Sequence, residues 1–449
     1  MCLLEKCKAY KHRINLEKNK PIEEMNQQSV KAEKNQNMVV PSKPSLIDLP
    51  EDLLLCIMEL CDPHDLAMLG ETCTLLHTFS QYDFLWKRFC EKAINVKDPD
   101  LGEVNSYREL YTTLLHRYGG MIGLYQVIAG PFGGLTEVRY SRGTLEGITW
   151  DPEFVDSPLK ANVCFSLRGG NKYAQCLCLP FMAPHSSIIT LEKDSGRFSH
   201  LCFSPKDHAK AVWKDFQYQH DFDFIHREEL FRRFKSKIFK LMQSHSHEKK
   251  LLCLSHCYDF RLVHKPLVLP HANDIPESLL MPDGSCPKQL IAPGLFTGNG
   301  IFLGTQLFVF KYRNEKELCA FKVTGDDSVP AEELYFTAML EYPVSPISVN
   351  DQKFHFYEEL LDLEMKKGRI SDISEQSFRL PLGTPLSVSY DKCYARYHGK
   401  GVINCVESWY ECSLHVIVFD PDTVCVLWLD CEHPSLYKRI LQGPRLSKY

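Results

Sequence analysis

The sequence lacks the marks of several large protein classes. No apolar run approaches the ~18 residues that a membrane-spanning helix needs. The residues after Met1 soon become charged at Glu5 and Lys6, so we expect no secretory signal there. A net charge of −5 without a basic block argues against broad nucleic-acid binding. We therefore do not expect a membrane-spanning, secreted or general nucleic-acid-binding protein.

Motifs of common catalytic sites are also missing. The chain has no Gly-x-Ser-x-Gly turn, no phosphate-binding Gly-Lys-Ser/Thr loop and no His-Glu-x-x-His sequence. Its 19 cysteines and 18 histidines leave one enzymatic alternative open, a cysteine nucleophile paired with a histidine. The cysteines are scattered and odd in number, which favours free thiols in a reducing compartment, the cytoplasm or the nucleus. We predict a protein that is not an enzyme.

The first 44 residues are rich in Lys, Glu, Asn and Gln and predict a disordered leader. A helical segment follows at residues 45–93, where apolar side chains recur at helical spacing and indicate two or three short helices. Asp62-Pro63 should end the first of them, because proline lacks an N–H and disfavours helix in the residue before it. About 45 residues cannot enclose so many large apolar side chains, so some of this surface should dock on another protein.

This segment resembles an F-box. The resemblance rests on residues 49–54 (LPEDLL), residues 66–69 (LAML), Cys73 and residues 85–87 (LWK). In that family the Leu-Pro start and the first helices bind the Skp adaptor of a cullin-based ubiquitin ligase. An ordinary helical hairpin in a core is the alternative. The residues that the resemblance assigns to Skp binding are Leu49, Pro50, Leu53, Leu54, Ile57, Leu66, Leu69 and Trp86.

Beyond the F-box, a linker helix is predicted within residues 94–120, because Leu110, Leu114 and Leu115 share one helix face and Gly119-Gly120 ends it. From Met121 short apolar segments alternate with Gly and Pro turns, which is typical of an antiparallel sheet or barrel. Residues 221–244 and 357–367 have a helical pattern. The predicted fold class is α+β. A helical F-box is followed, at residues 121–445, by a mainly antiparallel, β-barrel-like substrate-binding domain with inserted helices.

Several blocks of this β-rich part resemble the F-box only protein 31 family. They are residues 125–126 (YQ), 130–135 (GPFGGL), 293–296 (PGLF), 322–331 (KVTGDDSVPA), 426–429 (VLWL) and 435–437 (SLY). The resemblance implies the substrate-recognition subunit of a ubiquitin ligase that marks proteins for proteasomal degradation. The chain lacks a long Pro/Gln/Glu-rich insertion before residue 378 and diverges around Lys193 and Asn404. A diverged paralogue with other substrates, or an F-box scaffold or inhibitor outside the ligase, is the alternative.

The resemblance also implies a substrate pocket. In the family the barrel binds the extreme C-terminus of targets, including a D-type cyclin tail and chains that end in an amide. We therefore assign Lys322, Thr324 and Asp326 to such a pocket, with the loops at residues 130–134 and 293–298 nearby. An aspartate accepts N–H bonds from a primary amide and repels a free carboxylate. Read without the family, Asp326 after Gly325 is an ordinary turn residue.

Cysteine and histidine cluster between residues 176 and 208, in a combination that suits tetrahedral zinc. Spacing alone leaves either Cys176 or Cys178 as the partner of His185, and it leaves chance clustering as an alternative. The resemblance implies a structural zinc ion, and we carry its ligands onto Cys176, His185, Cys202 and His208.

Overall fold

The computed structural model describes residues 45–129, 132–170, 174–178, 183–202, 262–299, 304–326, 329–349, 352, 366–370, 373–380, 390–405 and 408–444. The chain divides into two compact units between Arg117 and Tyr118. The leader predicted at residues 1–44 and the helix predicted at residues 221–244 lie outside the described residues, as does all but the end of the helix predicted at residues 357–367. The predicted domain bounds stay predictions.

In its described part the first unit consists of helices and irregular connections, without strands. None of the described helices is long and apolar enough to cross a membrane. The F-box-like segment has a short 3-10 helix (Leu46–Asp48) and four α-helices where the periodicity indicated two or three, because the breaks at residues 71–73 and 81–82 are too short to disturb the apolar spacing. The helices are α1 (Glu51–Met58), α2 (Pro63–Gly70), α3 (Thr74–Ser80), α4 (Asp83–Ile94) and α5 (Tyr107–Leu110), followed by a π-helical turn (Tyr111–Leu115) and α6 (His116–Tyr118).

Asp62-Pro63 lies in the break between α1 and α2, but α1 ends earlier, at Met58, and the pair begins α2. The Asp62 carboxylate accepts a hydrogen bond from the Asp65 amide at 2.8 Å and so caps α2, in which Pro63 is the first residue. Trp86 of α4 is buried, and its indole N–H donates to the Ser80 carbonyl at 2.7 Å. The Arg88 guanidinium donates to the Met58 carbonyl at the end of α1. These contacts fix the packing of α4 against α1 and α3.

The second unit contains two closed barrels, and neighbouring strands in both are antiparallel. Barrel 1 runs in sequence order from β1 to β8, and its last strand pairs with its first. The prediction of a mainly antiparallel, barrel-like domain is confirmed. The strands of barrel 1 are β1 (Gly123–Ala129), β2 (Phe132–Ser141), β3 (Thr144–Asp151), β4 (Lys160–Arg168), β5 (Ala174–Cys178), β6 (Ala183–Leu191), β7 (Phe198–Cys202) and β8 (Leu262–Pro266).

Barrel 2 has the strand order β10-β11-β12-β15-β16-β17-β18-β9, while β13 and β14 form a separate two-stranded sheet. Residues 294–298 belong to β9, as expected of a short apolar segment in the β-rich pattern, and do not form the loop that was placed near the pocket; their glycines allow close strand packing as well as turns. The elements are β9 (Gly294–Asn299), β10 (Thr305–Asn314), β11 (Glu317–Lys322), β12 (Leu334–Pro343), β13 (Gln376–Ser377), β14 (Lys392–Cys393), β15 (Ala395–Cys405), β16 (Ser408–Asp420), β17 (Thr423–Trp428) and β18 (His433–Arg439).

The interior of barrel 2 is aromatic. The Phe296 and Phe310 rings stack with centroids 4.1 Å apart, and Tyr335 lies 4.9 Å from Trp428. All six residues of β17 are buried. One of its faces looks into the barrel, and the other packs in a cluster that includes Phe378. Burial on both faces explains why β17 reads as a nearly continuous apolar run rather than an alternating one.

The two barrels pack against each other through apolar side chains and one close backbone approach. A Cβ atom added to Gly133 of β2 would lie only 2.1 Å from the Val323 carbonyl oxygen. Only glycine therefore lets β2 come so near the chain that leaves β11. The apolar residues of this contact are Leu135, Leu159, Leu295, Leu307, Val309 and Val323.

Candidate functional site

A buried ion pair lies at one end of barrel 2. The Lys322 ammonium is 2.5 Å from Oδ2 of Asp326, and the two residues are only 2% and 3% exposed. Lys322 is the last residue of β11, and Asp326 follows in the turn toward β12. At this same end β9 and β17 finish and β10 and β18 begin. The structure thus brings together two of the three residues assigned to the pocket.

The Asp326 carboxylate is held by further donors. The Gln306 amide donates to Oδ2 at 2.9 Å, and the Val329 backbone N–H donates to Oδ1 at 2.7 Å. Burial alone would raise the pKa of Asp326, but the Lys322 charge and these hydrogen bonds outweigh it and hold the pKa below its usual value. Asp326 is therefore an ionised acceptor at neutral pH, with a fixed orientation.

The Lys322 ammonium also faces an aromatic wall. Its Nζ lies 4.6 Å from the centroid of the Tyr335 ring, a distance typical of a cation–π contact. Burial lowers the pKa of Lys322, and the neighbouring Asp326 opposes that shift. The site thus combines a cationic donor, an anionic acceptor and apolar aromatic surface at one barrel end.

Thr324, the third residue assigned to the pocket, is bound to the barrel wall. Its hydroxyl oxygen accepts a hydrogen bond from the Leu307 amide at 2.7 Å, and its own amide donates to the Leu307 carbonyl. These bonds attach the turn after β11 to β10. A direct contact between Thr324 and a substrate stays a prediction.

The sequence reasoning missed Gln306 and Tyr335. Gln306, Phe308 and Phe310 occupy alternate positions of β10 and share one face. A glutamine in register with two buried phenylalanines is a polar residue directed at the core, and buried polar groups need partners. That irregular alternation was a readable signal for Gln306. Tyr335 carried no such signal, because an aromatic residue in a strand is ordinary.

The residues assigned to Skp binding divide into two groups. Leu49, Leu53 and Ile57 are between 38% and 40% exposed. Leu53 and Ile57 are four residues apart on α1 and share one helix face. Pro50 is also exposed and Leu69 is half-buried, whereas Leu54, Leu66 and Trp86 are buried in the core of the first unit. The buried three support the exposed stripe, and their direct contact with a partner stays a prediction.

The backbone at three of the four predicted zinc ligands is described, and His208 lies outside the described residues. Cys176 of β5 pairs with His185 of β6. Cys202 of β7 pairs with Ser187, two residues from His185. Alternate residues of a strand share a face, so these three positions occupy neighbouring sites on one face of adjacent strands. This placement and the Cys/His donor set fit a zinc ion.

Two family models match the chain. One, described as F-box-like, matches residues 46–92. The other, described as Cyclin D1 binding domain, matches residues 278–443, which contain β9 to β18 and the buried ion pair. The first match covers the segment with the exposed apolar stripe. Each sequence-assigned surface, for Skp and for substrate, therefore lies inside a matched segment.

The relatives that match the chain share one name. The F-box only protein 31 of Homo sapiens is 28% identical over 304 residues, which cover 65% of this chain and 52% of that protein. The chain is similar to F-box only protein 31. The Rattus norvegicus F-box only protein 31 is 27% identical over 65% of this chain and 55% of its own length. The F-box only protein 31-A of Xenopus laevis is 26% identical over 70% of this chain and 58% of its own length.

The chain spans about half the length of the F-box only protein 31 sequences that it matches. The similarity supports the resemblance seen in the sequence.

Proposed function

We propose that this chain is the substrate-recognition subunit of a Skp–cullin–F-box ubiquitin ligase. One observation carries the proposal: an exposed apolar stripe and a buried polar site lie in separate units, inside matches to an F-box-like and a Cyclin D1 binding domain. In this function the first unit docks on the Skp adaptor, and barrel 2 holds a target protein. The subunit makes and breaks no bonds itself, and it accelerates ubiquitin transfer by proximity.

The proposed ligand of barrel 2 is the C-terminal tail of a target, such as a D-type cyclin or a chain that ends in a primary amide. Asp326 accepts hydrogen bonds from the amide nitrogen, and the Lys322 ammonium donates to the amide oxygen. A free carboxylate would place a second anionic oxygen against the ionised Asp326. The site therefore favours an amide terminus over an acid terminus.

Matched peptides test this pocket. Full-length protein should bind an amide-ended D-type cyclin tail peptide at least tenfold more tightly than the acid-ended peptide, since one charge-assisted hydrogen bond contributes roughly 1.5–3 kcal/mol. Asp326→Ala should remove that preference, as measured by calorimetry. Asp283→Ala, an exposed turn position, is the control. Equal binding of both peptides by the wild-type protein would reject the terminus-binding proposal.

A second experiment tests the link to the ligase. Leu49→Ala combined with Pro50→Ala should abolish co-purification of Skp and cullin and stop ubiquitination of the bound target. Peptide binding should remain, because these residues lie in the first unit. If Skp and cullin co-purify with the wild-type protein but no target is modified, a scaffold function replaces the ligase function. If neither co-purifies, the receptor proposal fails.

We also propose a structural zinc ion bound by Cys176, His185, Cys202 and His208, with Cys178 as the alternative to Cys176. Four protein ligands leave no open coordination position for water, so the ion would stabilise the fold and take no part in a reaction. The strand pairing of Cys176 with His185 supports this assignment.

A further inference from the structure

A side chain of barrel 1 contacts the backbone at the end of β11, next to the ion pair of barrel 2. One amide nitrogen, Nε2 of Gln126 in β1, lies 3.2 Å from the Lys322 carbonyl oxygen and 3.2 Å from the Val323 carbonyl oxygen. Gln126 is only 6% exposed. Both carbonyls stand where β11 ends, so the amide ties this end of β11 to β1 of the other barrel.

A second contact reaches the far side of the same turn. Lys265 of β8 forms an ion pair with Glu332, which precedes β12. Glu332 has a φ of 75°, unusual for a residue with a side chain, and its amide donates to the Lys322 carbonyl at 2.8 Å. Such a conformation persists where the surroundings enforce it. Lys265 of barrel 1 is one of the groups that hold it.

These contacts come from one small patch of barrel 1. Gln126 and Lys265 are directly paired across β1 and β8. Gly133 of the adjacent β2 brings the backbone against Val323 and Ala331, near the two ends of the Asp326 turn. The patch therefore touches the turn at its start, at Lys322 and Val323, and at its end, at Ala331 and Glu332.

We infer that Gln126 and Lys265 are positioning residues for the proposed pocket, and that the recognition site is built by both barrels. The inference rests on the proposed function of barrel 2. It also goes beyond the Cyclin D1 binding match, because that match begins at residue 278 and leaves barrel 1 outside. The amide-versus-acid preference depends on barrel 1, although neither barrel 1 residue touches the ligand.

Barrel 1 can influence the choice between an amide and an acid terminus because that choice depends on exact positions in the pocket. The Lys322 ammonium and the Asp326 carboxylate must meet the two ends of one amide group together, and misplacement of about 1 Å weakens such paired contacts strongly. Gln126 holds the backbone of Lys322 and Val323, from which the chain continues to Asp326. Gln126→Leu leaves two buried carbonyls without this donor and frees that backbone to shift. We expect the amide-to-acid affinity ratio to fall about tenfold.

The test uses full-length protein and the matched amide-ended and acid-ended D-type cyclin peptides. Gln126→Leu and Lys265→Glu should each lower the affinity ratio. Adding Glu332→Lys to Lys265→Glu restores an ion pair of reversed polarity and should recover much of the ratio. Leu145→Ala removes a buried side chain of barrel 1 outside the contact between the barrels. It should lower the melting temperature and leave the ratio unchanged.

The outcomes separate this inference from the proposed function. Equal binding of both peptides by the wild-type protein would reject the terminus-binding proposal itself. If the wild-type protein discriminates and both Gln126→Leu and Lys265→Glu keep the full ratio, the positioning inference is overturned. The same holds if Leu145→Ala lowers the ratio as much as Gln126→Leu does. Lys265 is 41% exposed in its side chain, so the charge-reversal variant should fold even where Gln126→Leu does not.

Discussion

Burial of the Lys322–Asp326 pair has a large desolvation penalty. Two charges taken out of water lose hydration that their mutual attraction barely replaces, so a buried ion pair adds little net stability. Its persistence at a barrel end therefore fits a role in ligand binding better than a role in folding. The same reasoning makes the energetics of the pair testable without any ligand.

Lys322→Met should destabilise the protein by roughly 3–5 kcal/mol, because it leaves the buried Asp326 carboxylate without its cation. Adding Asp326→Leu should recover most of that loss, since no buried charge remains. Urea unfolding of both variants measures the two values. Lys316→Met is the matched control: the Lys316–Glu341 pair is exposed and should contribute at most about 1 kcal/mol. A double variant no more stable than Lys322→Met would contradict this account.

The burial of His415 in β16 should make the stability of the protein depend on pH. Burial lowers the pKa of His415 to about 3, and the neighbouring His398 and Arg396 act in the same direction. Because the pKa in the folded state lies below that in the unfolded state, the contribution of neutral His415 is complete above about pH 6.5. It is lost as the pH falls from there toward 3, at up to about 1.4 kcal/mol per pH unit.

Chemical denaturation between pH 7.5 and pH 5 measures this slope. His415→Leu should reduce the slope by the contribution of one titrating group, up to about 1.4 kcal/mol per pH unit. His64→Gln should leave it unchanged, because His64 is exposed on the first unit. A His415→Leu protein with the wild-type slope would show that other groups control the acid sensitivity.

At the level of strands and helices, the approach of β2 to the end of β11 is the contact with the least tolerance. Gly133→Ala should separate the barrels, because its Cβ would overlap the Val323 carbonyl and backbone atoms cannot turn aside as a flexible side chain can. Overpacking of this kind costs typically 1–3 kcal/mol. Thermal unfolding and amide-peptide affinity should both decline. Gly120→Ala, which meets no atom within 4 Å, should change neither.

Local pattern predicted the type of each element better than its partners. The period-two alternation from Met121 indicated antiparallel strands, and Asp62-Pro63 marked the break between α1 and α2. The closure of β8 on β1 and of β18 on β9 joins residues far apart in the chain, and alternation holds no information about it. Gln126 shows the same limit: it was part of a resemblance, yet its partners lie 196 and 197 residues away.

The candidate site divides in a similar way. Lys322 and Asp326 were assigned from one short block, and their i, i+4 spacing around a turn keeps them close by chain geometry alone. Gln306 was readable as a polar residue on an aromatic face. Lys265 was not, because a lysine at the end of a short strand is ordinary until the fold places Glu332 beside it.

At the scale of the whole molecule, the proposed function assigns adaptor docking and target recognition to separate units. The exposed stripe of α1 lies in the first unit, and the ion pair lies in the second. Within the second unit, barrel 2 holds the proposed ligand and barrel 1 supports it through Gln126, Lys265 and Gly133. Loss of these contacts between the barrels should therefore alter the pocket although no pocket residue changes.

Metal removal tests whether the pocket in barrel 2 depends on the folding of barrel 1. The proposed zinc ligands Cys176, His185 and Cys202 belong to β5, β6 and β7 of barrel 1. Because a structural ion contributes directly to folding free energy, a chelator such as phenanthroline should lower the melting temperature of the second unit and weaken amide-peptide binding, while Skp binding by the first unit persists. Elemental analysis should find one zinc ion per chain, and Cys202→Ser should reproduce the effect of the chelator. Purified protein that contains no zinc, with a melting temperature unchanged by Cys202→Ser, would reject the metal assignment and leave the contacts between the barrels unaffected.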